Sequence, residues 1–125
     1  MKKILIVDDE ENARASLGKL LSHEGYQVHT ARDGQEALSY LKQNPVNLII
    51  SDINMPQMNG LDFLKVLSHE YPGIDVIMIT AYGEVGSYLE AINLGAIEYI
   101  NKPIKLDELK LIMKRILYGG AISTT

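Results

Sequence analysis

The sequence predicts a single α/β domain built on a parallel five-stranded sheet, a (βα)5 arrangement. Short apolar segments alternate with segments of helical period along the chain. Three of the apolar segments are near-continuous runs, the pattern of strands covered on both faces. Glycine and proline fall between the periodic segments, where the chain must turn.

The elements follow in order. "KILIVD" (3–8) reads as a strand, and 12–23 as a helix whose Ala13, Leu17, Leu20 and Leu21 share one face. "YQVHTA" (26–31) alternates polar and apolar residues, which places it nearer a sheet edge. Asp33-Gly34 marks the start of a helix over 34–43 with Ala37, Leu38 and Leu41 inward. "NLIISD" (47–52) is a strand that ends on a carboxylate. The helix over 60–71 opens at Gly60 and buries Phe63, Leu64 and Leu67. "DVIMIT" (75–80) is the fourth strand, and 84–94 is a helix on Val85, Leu89 and Ile92. "EYINK" (98–102) is the fifth strand. The helix over 106–117, with Asp107 at its start, carries the clearest stripe in Leu109, Ile112, Met113 and Ile116. Gly25 and Gly95 follow helices, and Pro45, Pro56, Pro72 and Pro103 lie between elements. The domain is expected over 1–118, with 119–125 a flexible tail or the start of a linker.

Parallel strands joined by helices need right-handed crossovers, and the flavodoxin-like strand order 2-1-3-4-5 satisfies them with helices on both faces. Function in such sheets sits at the carboxyl ends of the strands, where strand order reverses. Here the first and third strands flank that point.

Composition narrows the function. Hydrophobic residues make up 46% and charged residues 22% of the 125 residues, as in ordinary globular domains. No cysteine is present, which excludes disulfides and thiolate metal sites. A formal charge of −4 gives no reason to expect nucleic-acid binding by the domain. No apolar stretch approaches the roughly 20 residues that span a bilayer. The acidic cluster after Val7 ends the N-terminal apolar run with no cleavage pattern. A cytoplasmic protein without membrane contact is expected.

The strand ends bring chemistry together. Strand one ends in Asp8-Asp9, strand three in Asp52, strand four in Thr80 and strand five in Lys102-Pro103. Carboxylates gathered on one rim repel, and a hard divalent ion relieves them. Oxygen ligands without histidine or cysteine suit Mg2+. Lys102 adds a fixed positive charge and Thr80 a hydroxyl. These are parts for holding a phosphoryl group, and Asp52, alone at the end of a central strand, is the candidate nucleophile. Singly the signals are weak. "DDEEN" is equally compatible with a solvated helix N-terminus, Asp52 with a turn residue, and Lys102 with a surface lysine. Their joint placement at four strand ends favours a site.

"ILIVDDE", "SDINMPQMNGLDFL", "VIMITAYG" and "LGAIEYINKP", with their spacing, resemble the receiver domain of two-component response regulators over about residues 2–118. Members of that family are among the known examples of the 2-1-3-4-5 order, so the two expectations are not independent. The resemblance implies that Asp52 accepts the phosphoryl group. It implies that Asp9 binds Mg2+ directly, Asp8 mainly through water, Asp52 as a third carboxylate and Asn54 through its backbone carbonyl. It makes Thr80 and Lys102 the grip on the phosphoryl oxygens, Thr80 and Tyr99 the switch pair, and Lys102–Pro103 a cis peptide bond. By the same resemblance, Asn54 and Tyr82 lie at positions expected to tune the lifetime of the phosphorylated state. The implied role is a signalling switch, not a conventional turnover enzyme, which catalyses its own aspartyl phosphorylation and dephosphorylation.

The implied partner is a sensor histidine kinase or a histidine phosphotransfer protein. It would meet the first helix over 12–17 and the Pro103-Ile104 loop. The face of the fourth helix, fifth strand and fifth helix would serve an effector domain or a homodimer. Gly83 and Gly86 lower helix propensity and predict a mobile start to the fourth helix. A flavin carrier of the same topology is disfavoured by "DDEEN", which repels phosphate unless a metal intervenes. A phosphohydrolase would need a further acid/base carboxylate and a cap. The remaining alternative is a phosphate-independent interaction module.

Overall fold

The computed structural model describes residues 1–55, 58–81 and 85–119. Its elements are β1 (Lys3–Val7), α1 (Glu11–His23), β2 (Gln27–Ala31), α2 (Gly34–Leu41), β3 (Leu48–Asp52), α3 (Gly60–Glu70), β4 (Asp75–Thr80), α4 (Val85–Asn93), β5 (Glu98–Asn101) and α5 (Leu106–Tyr118). The sheet has the order β2-β1-β3-β4-β5, and every pairing is parallel. The predicted fold is therefore the observed one. β2 lies at an edge, as its alternation implies.

Side chains alternate between the two faces of a strand, which explains the continuous apolar runs. Leu5, Val7, Ile49, Val76 and Met78 face one core, closed by Ala37, Leu41, Phe63, Leu64, Leu67 and Ala91 from α2, α3 and α4. Ile4, Ile6, Leu48, Ile50, Ile77 and Ile79 face the other, closed by Leu21 of α1 and by Leu109, Met113 and Leu117 of α5. Both faces are covered, so β3 buries all five of its residues, Asp52 included.

Two helix faces differ from the sequence expectation. In α4, Leu89 and Ile92 are 54% and 38% exposed, while Ala91 is fully buried and Leu94, one residue past the helix, packs on the core. The helix carries two apolar stripes, and the smaller residue lets it lie close to the sheet. In α1, Leu20 is 45% exposed, because the inward side is centred on Leu17, Gly18 and Leu21. Leu20 lies about 100° around the helix from Leu21.

Termini follow capping chemistry. Asp33 caps α2 by accepting from the Glu36 amide at 2.8 Å, and Asn59 caps α3 through the Asp62 amide at 2.9 Å. Asp107 lies at the start of α5, as expected. Lys105 holds the cap position, and Asp107 sits in the first turn, where a carboxylate complements the helix dipole. Gly25 and Gly95 have φ of 96° and 105°, the left-handed conformation that ends a helix. The expectations for Pro56, for Tyr82 and Gly83, and for the tail from 120 onward fall outside the described residues.

Candidate functional site

β1 and β3 are adjacent central strands, and their carboxyl ends deliver the acidic residues to one rim. Asp52 is the last residue of β3 and is paired with Ile79. Asp8 lies one residue beyond β1, its amide donating to the Ala31 carbonyl at 3.1 Å. One carboxylate oxygen each from Asp8, Asp9 and Asp52 lie within 4.8 Å of one another. Asp8 and Asp52 are buried and Asp9 is exposed.

Lys102 follows β5 directly, and its amide donates to the Thr80 carbonyl at 2.7 Å. Its Nζ stands 3.3 Å from Asp52 Oδ2 and 3.5 Å from Asp8 Oδ2. The Lys102–Pro103 peptide bond is cis. Thr80, buried at the end of β4, accepts from the Asn54 side-chain amide at 3.3 Å. The Asn54 backbone amide donates to Asp52 Oδ1 at 3.1 Å. Asn54 thus ties the nucleophile candidate to the hydroxyl candidate.

The electrostatics match this crowding. Burial pushes the Asp8 carboxyl above its usual value of 3.8. The hydrogen bond from the Glu10 amide and the charge of Lys102 oppose that shift, and Asp52 and Asp9 add to it. Burial pulls the Lys102 ammonium down, but the charges of Asp52 and Asp8 and their hydrogen bonds outweigh it and hold the group above the usual lysine value. Lys102 reaches two of the three carboxylates, Asp52 and Asp8, and Asp9 has no ion pair with it. Hard oxygen donors at this spacing fit a divalent ion such as Mg2+.

Of the predicted residues, Asp8, Asp9, Asp52, Asn54, Thr80 and Lys102 converge on this rim. Tyr99 lies on β5 paired with Met78 and packs against the core that holds Met78. Its ring meets that of Tyr88 edge-on, with centroids 5.5 Å apart. The Tyr99 hydroxyl is buried and has no hydrogen-bond partner among the described residues. The two readings of "DDEEN" divide by residue. Asp8 and Asp9 join the cluster, whereas Glu10 caps α1 by accepting from the Ala13 amide at 2.7 Å. One contact was not foreseen: Arg14 Nη1 donates to the Asp8 main-chain carbonyl at 2.7 Å. Its only sequence signal was its position in the first helix, a turn past the acidic run.

Comparison with known proteins agrees with this geometry. The family model described as the response regulator receiver domain matches residues 4–114. Regulatory protein AtoC of Escherichia coli (strain K12) is 39% identical over 117 residues, 94% of this chain and 25% of that protein. Sporulation initiation phosphotransferase F of Bacillus subtilis (strain 168) is 36% identical over 116 residues, 93% of this chain and 94% of that protein. The structure of response regulator protein TrrA from Thermotoga maritima, in complex with Mg2+-BeF, has a TM-score of 0.84 at 38% identity, covering 93% of this chain and 99% of that one. The chain thus spans about a quarter of AtoC and nearly all of the phosphotransferase. Fold, acidic rim and matched span agree, and the chain belongs to the response regulator receiver domain family.

Proposed function

We propose that this chain is a phosphorylation-controlled signalling switch that takes a phosphoryl group onto Asp52 from a phosphohistidine of a partner protein. The observation that carries this reading is the meeting of the Asp8, Asp9 and Asp52 carboxylates, with Lys102 reaching two of them. An Asp52 carboxylate oxygen forms the bond to phosphorus as the phosphorus–nitrogen bond breaks. The electron pair of that bond goes to the departing imidazole nitrogen. Lys102 offsets charge on the transferring oxygens, and the Thr80 hydroxyl donates to one of them. Asp8, Asp9, Asp52 and the Asn54 carbonyl are the groups that would hold Mg2+, which when bound supplies charge neutralisation for the incoming phosphoryl group. Hydrolysis of the acyl phosphate, by water attack at phosphorus, returns Asp52 to a carboxylate.

The response begins at Thr80, which turns toward the new oxygens, and passes to Tyr99 as it rotates into the vacated space. The partner is a sensor histidine kinase or a histidine phosphotransfer protein, docking on α1 over 12–17 and on the Pro103-Ile104 loop. The α4–β5–α5 face serves an effector domain or a second copy. Tyr88, Leu89, Ile97 and Leu111, all exposed on or beside these elements, support that assignment. The switch unit is residues 1–118. Among the described residues no helix is long and apolar enough to cross a membrane, and the cytoplasm is the setting proposed.

Incubation with acetyl phosphate, with and without Mg2+, tests the reading by intact mass. One added phosphoryl group that requires Mg2+ is the expected result. No gain under either condition moves the function to a phosphate-independent interaction module.

A further inference from the structure

We propose that Arg14 is a positioning residue for the metal-binding turn, clamping the Asp8 main chain so that the Asp8 and Asp9 carboxylates face a divalent cation. The inference rests on the reading of that site given above. It begins from the 2.7 Å hydrogen bond from Arg14 Nη1 to the Asp8 carbonyl, which spans six residues and is partly buried. A charge-assisted bond of that length is among the stronger ones.

The turn it grips is also restrained at Asp8 by Lys102, whose Nζ lies 3.5 Å from Asp8 Oδ2. Asp8 has left the ladder of β1, and its amide keeps one bond, to the Ala31 carbonyl. The Glu10 amide donates to Asp8 Oδ1 at 2.9 Å, so the carboxylate itself helps to close the turn. Glu10 is anchored to α1 through the Ala13 amide, and its carbonyl accepts from the Arg14 amide at 3.0 Å. Arg14 therefore fastens the turn to the first turn of α1 from two directions, by its backbone to Glu10 and by its side chain to Asp8. Mg2+ demands near-ideal octahedral geometry, so small displacements of its ligands lower affinity.

Charge and geometry predict opposite signs. If Arg14 acted only as a nearby cation, removing it would relieve repulsion of Mg2+ and tighten binding. If it positions the turn, removing it weakens binding although a positive charge is lost. Groups bonded directly to a ligand atom are worth about 10–100-fold in metal affinity. Arg14 acts one bond further out, through the Asp8 main chain, and about three- to tenfold is expected.

The test is titration of the metal-free chain with Mg2+ alone, followed by calorimetry, for wild type, Arg14→Met and Arg14→Gln. Amide hydrogen exchange at Glu10 is measured on the same metal-free samples. The proposal expects a three- to tenfold higher Kd in both variants and faster exchange at Glu10. An unchanged or lower Kd in a folded variant overturns it, and if Arg14→Met does not fold, Arg14→Gln decides. If the wild type binds no Mg2+, the reading of the metal site itself fails, a result distinct from a variant that binds as well as the wild type.

Discussion

Lys102, one residue beyond β5, reaches Asp52 at the end of β3, with its ammonium 3.3 Å from Asp52 Oδ2. The same ammonium lies 3.5 Å from Asp8 Oδ2. In the proposed phosphoryl transfer, this ammonium would offset charge beside the Asp52 carboxylate. A metal ion held by Asp8 and Asp52 would share their oxygens with this ammonium. Replacing Lys102 separates these roles. Lys102→Met should lower the phosphorylation rate by about 10²-fold, the usual loss for one preorganised electrostatic group. Mg2+ should bind at least as tightly as before, because a competing cation is gone. Stopped-flow phosphorylation and Mg2+ titration check the pair. A parallel fall in both would show that Lys102 merely holds the site together.

Asp8 makes stability depend on pH in a defined direction. Burial raises its folded-state value above the usual 3.8. A raised value means that the protonated form favours folding. That contribution is full below pH 3.8 and is lost as pH rises through the raised value. Asp8→Asn cannot titrate. Without Mg2+, its stability advantage over wild type should grow across that window and then level off toward neutral pH. Mg2+ should reverse the ranking, since a ligand at 100 times its Kd stabilises the folded state by about 2.7 kcal/mol. Denaturant titrations at several pH values, with and without Mg2+, measure both effects. An advantage that shrinks as pH rises would contradict the assignment.

The buried Tyr99 hydroxyl without a partner among the described residues predicts an unusual response to its removal. An unsatisfied buried polar group costs about 1–3 kcal/mol. Tyr99→Phe deletes the hydroxyl and keeps the ring against Tyr88, so stability should hold or rise by about 1 kcal/mol. Tyr88→Ala instead loses the edge-on ring contact, worth about 0.5–1.5 kcal/mol, and should destabilise. Thermal melts of both variants test the contrast. A clear loss of stability in Tyr99→Phe would mean that the hydroxyl is satisfied in solution.

Gly60 opens α3 where no side chain fits. A Cβ there would stand 2.5 Å from Ile53 Cα, 2.6 Å from the Asp52 carbonyl oxygen and 2.8 Å from Met78 Cε. Helix propensity alone favours alanine by about 1 kcal/mol. Two of the three clashes are with backbone, which cannot rotate away, so overpacking wins and Gly60→Ala should destabilise by about 1–3 kcal/mol. The Gly60 amide also holds the Ile53 carbonyl at 2.7 Å, so the shift should reach Asp52 and slow phosphorylation. A melting temperature equal to wild type would show that the helix start is free to move.

The strands and the convergence of Asp8, Asp9, Asp52, Thr80 and Lys102 were legible because buried parallel strands leave unbroken apolar runs whose ends are marked by polar residues. The inward side of α4 was not legible. Its Leu89–Ile92 stripe has the correct period, but period alone does not say whether large or small residues meet the sheet. Ala91 does so, because a short side chain permits close approach. The Arg14 contact was hidden for another reason. It is made to a main-chain carbonyl, and such acceptors leave no mark in the sequence.

The most direct test of the central claim is chemical location of the phosphoryl group. Borohydride reduces an aspartyl phosphate to homoserine, and peptide mapping then reads the modified position. After phosphorylation in Mg2+, homoserine should appear at position 52 and at no other aspartate, and Asp52→Ala should yield none. Homoserine at position 8 or 9, or a phosphorylated chain without homoserine, would contradict the assignment of Asp52 as the acceptor.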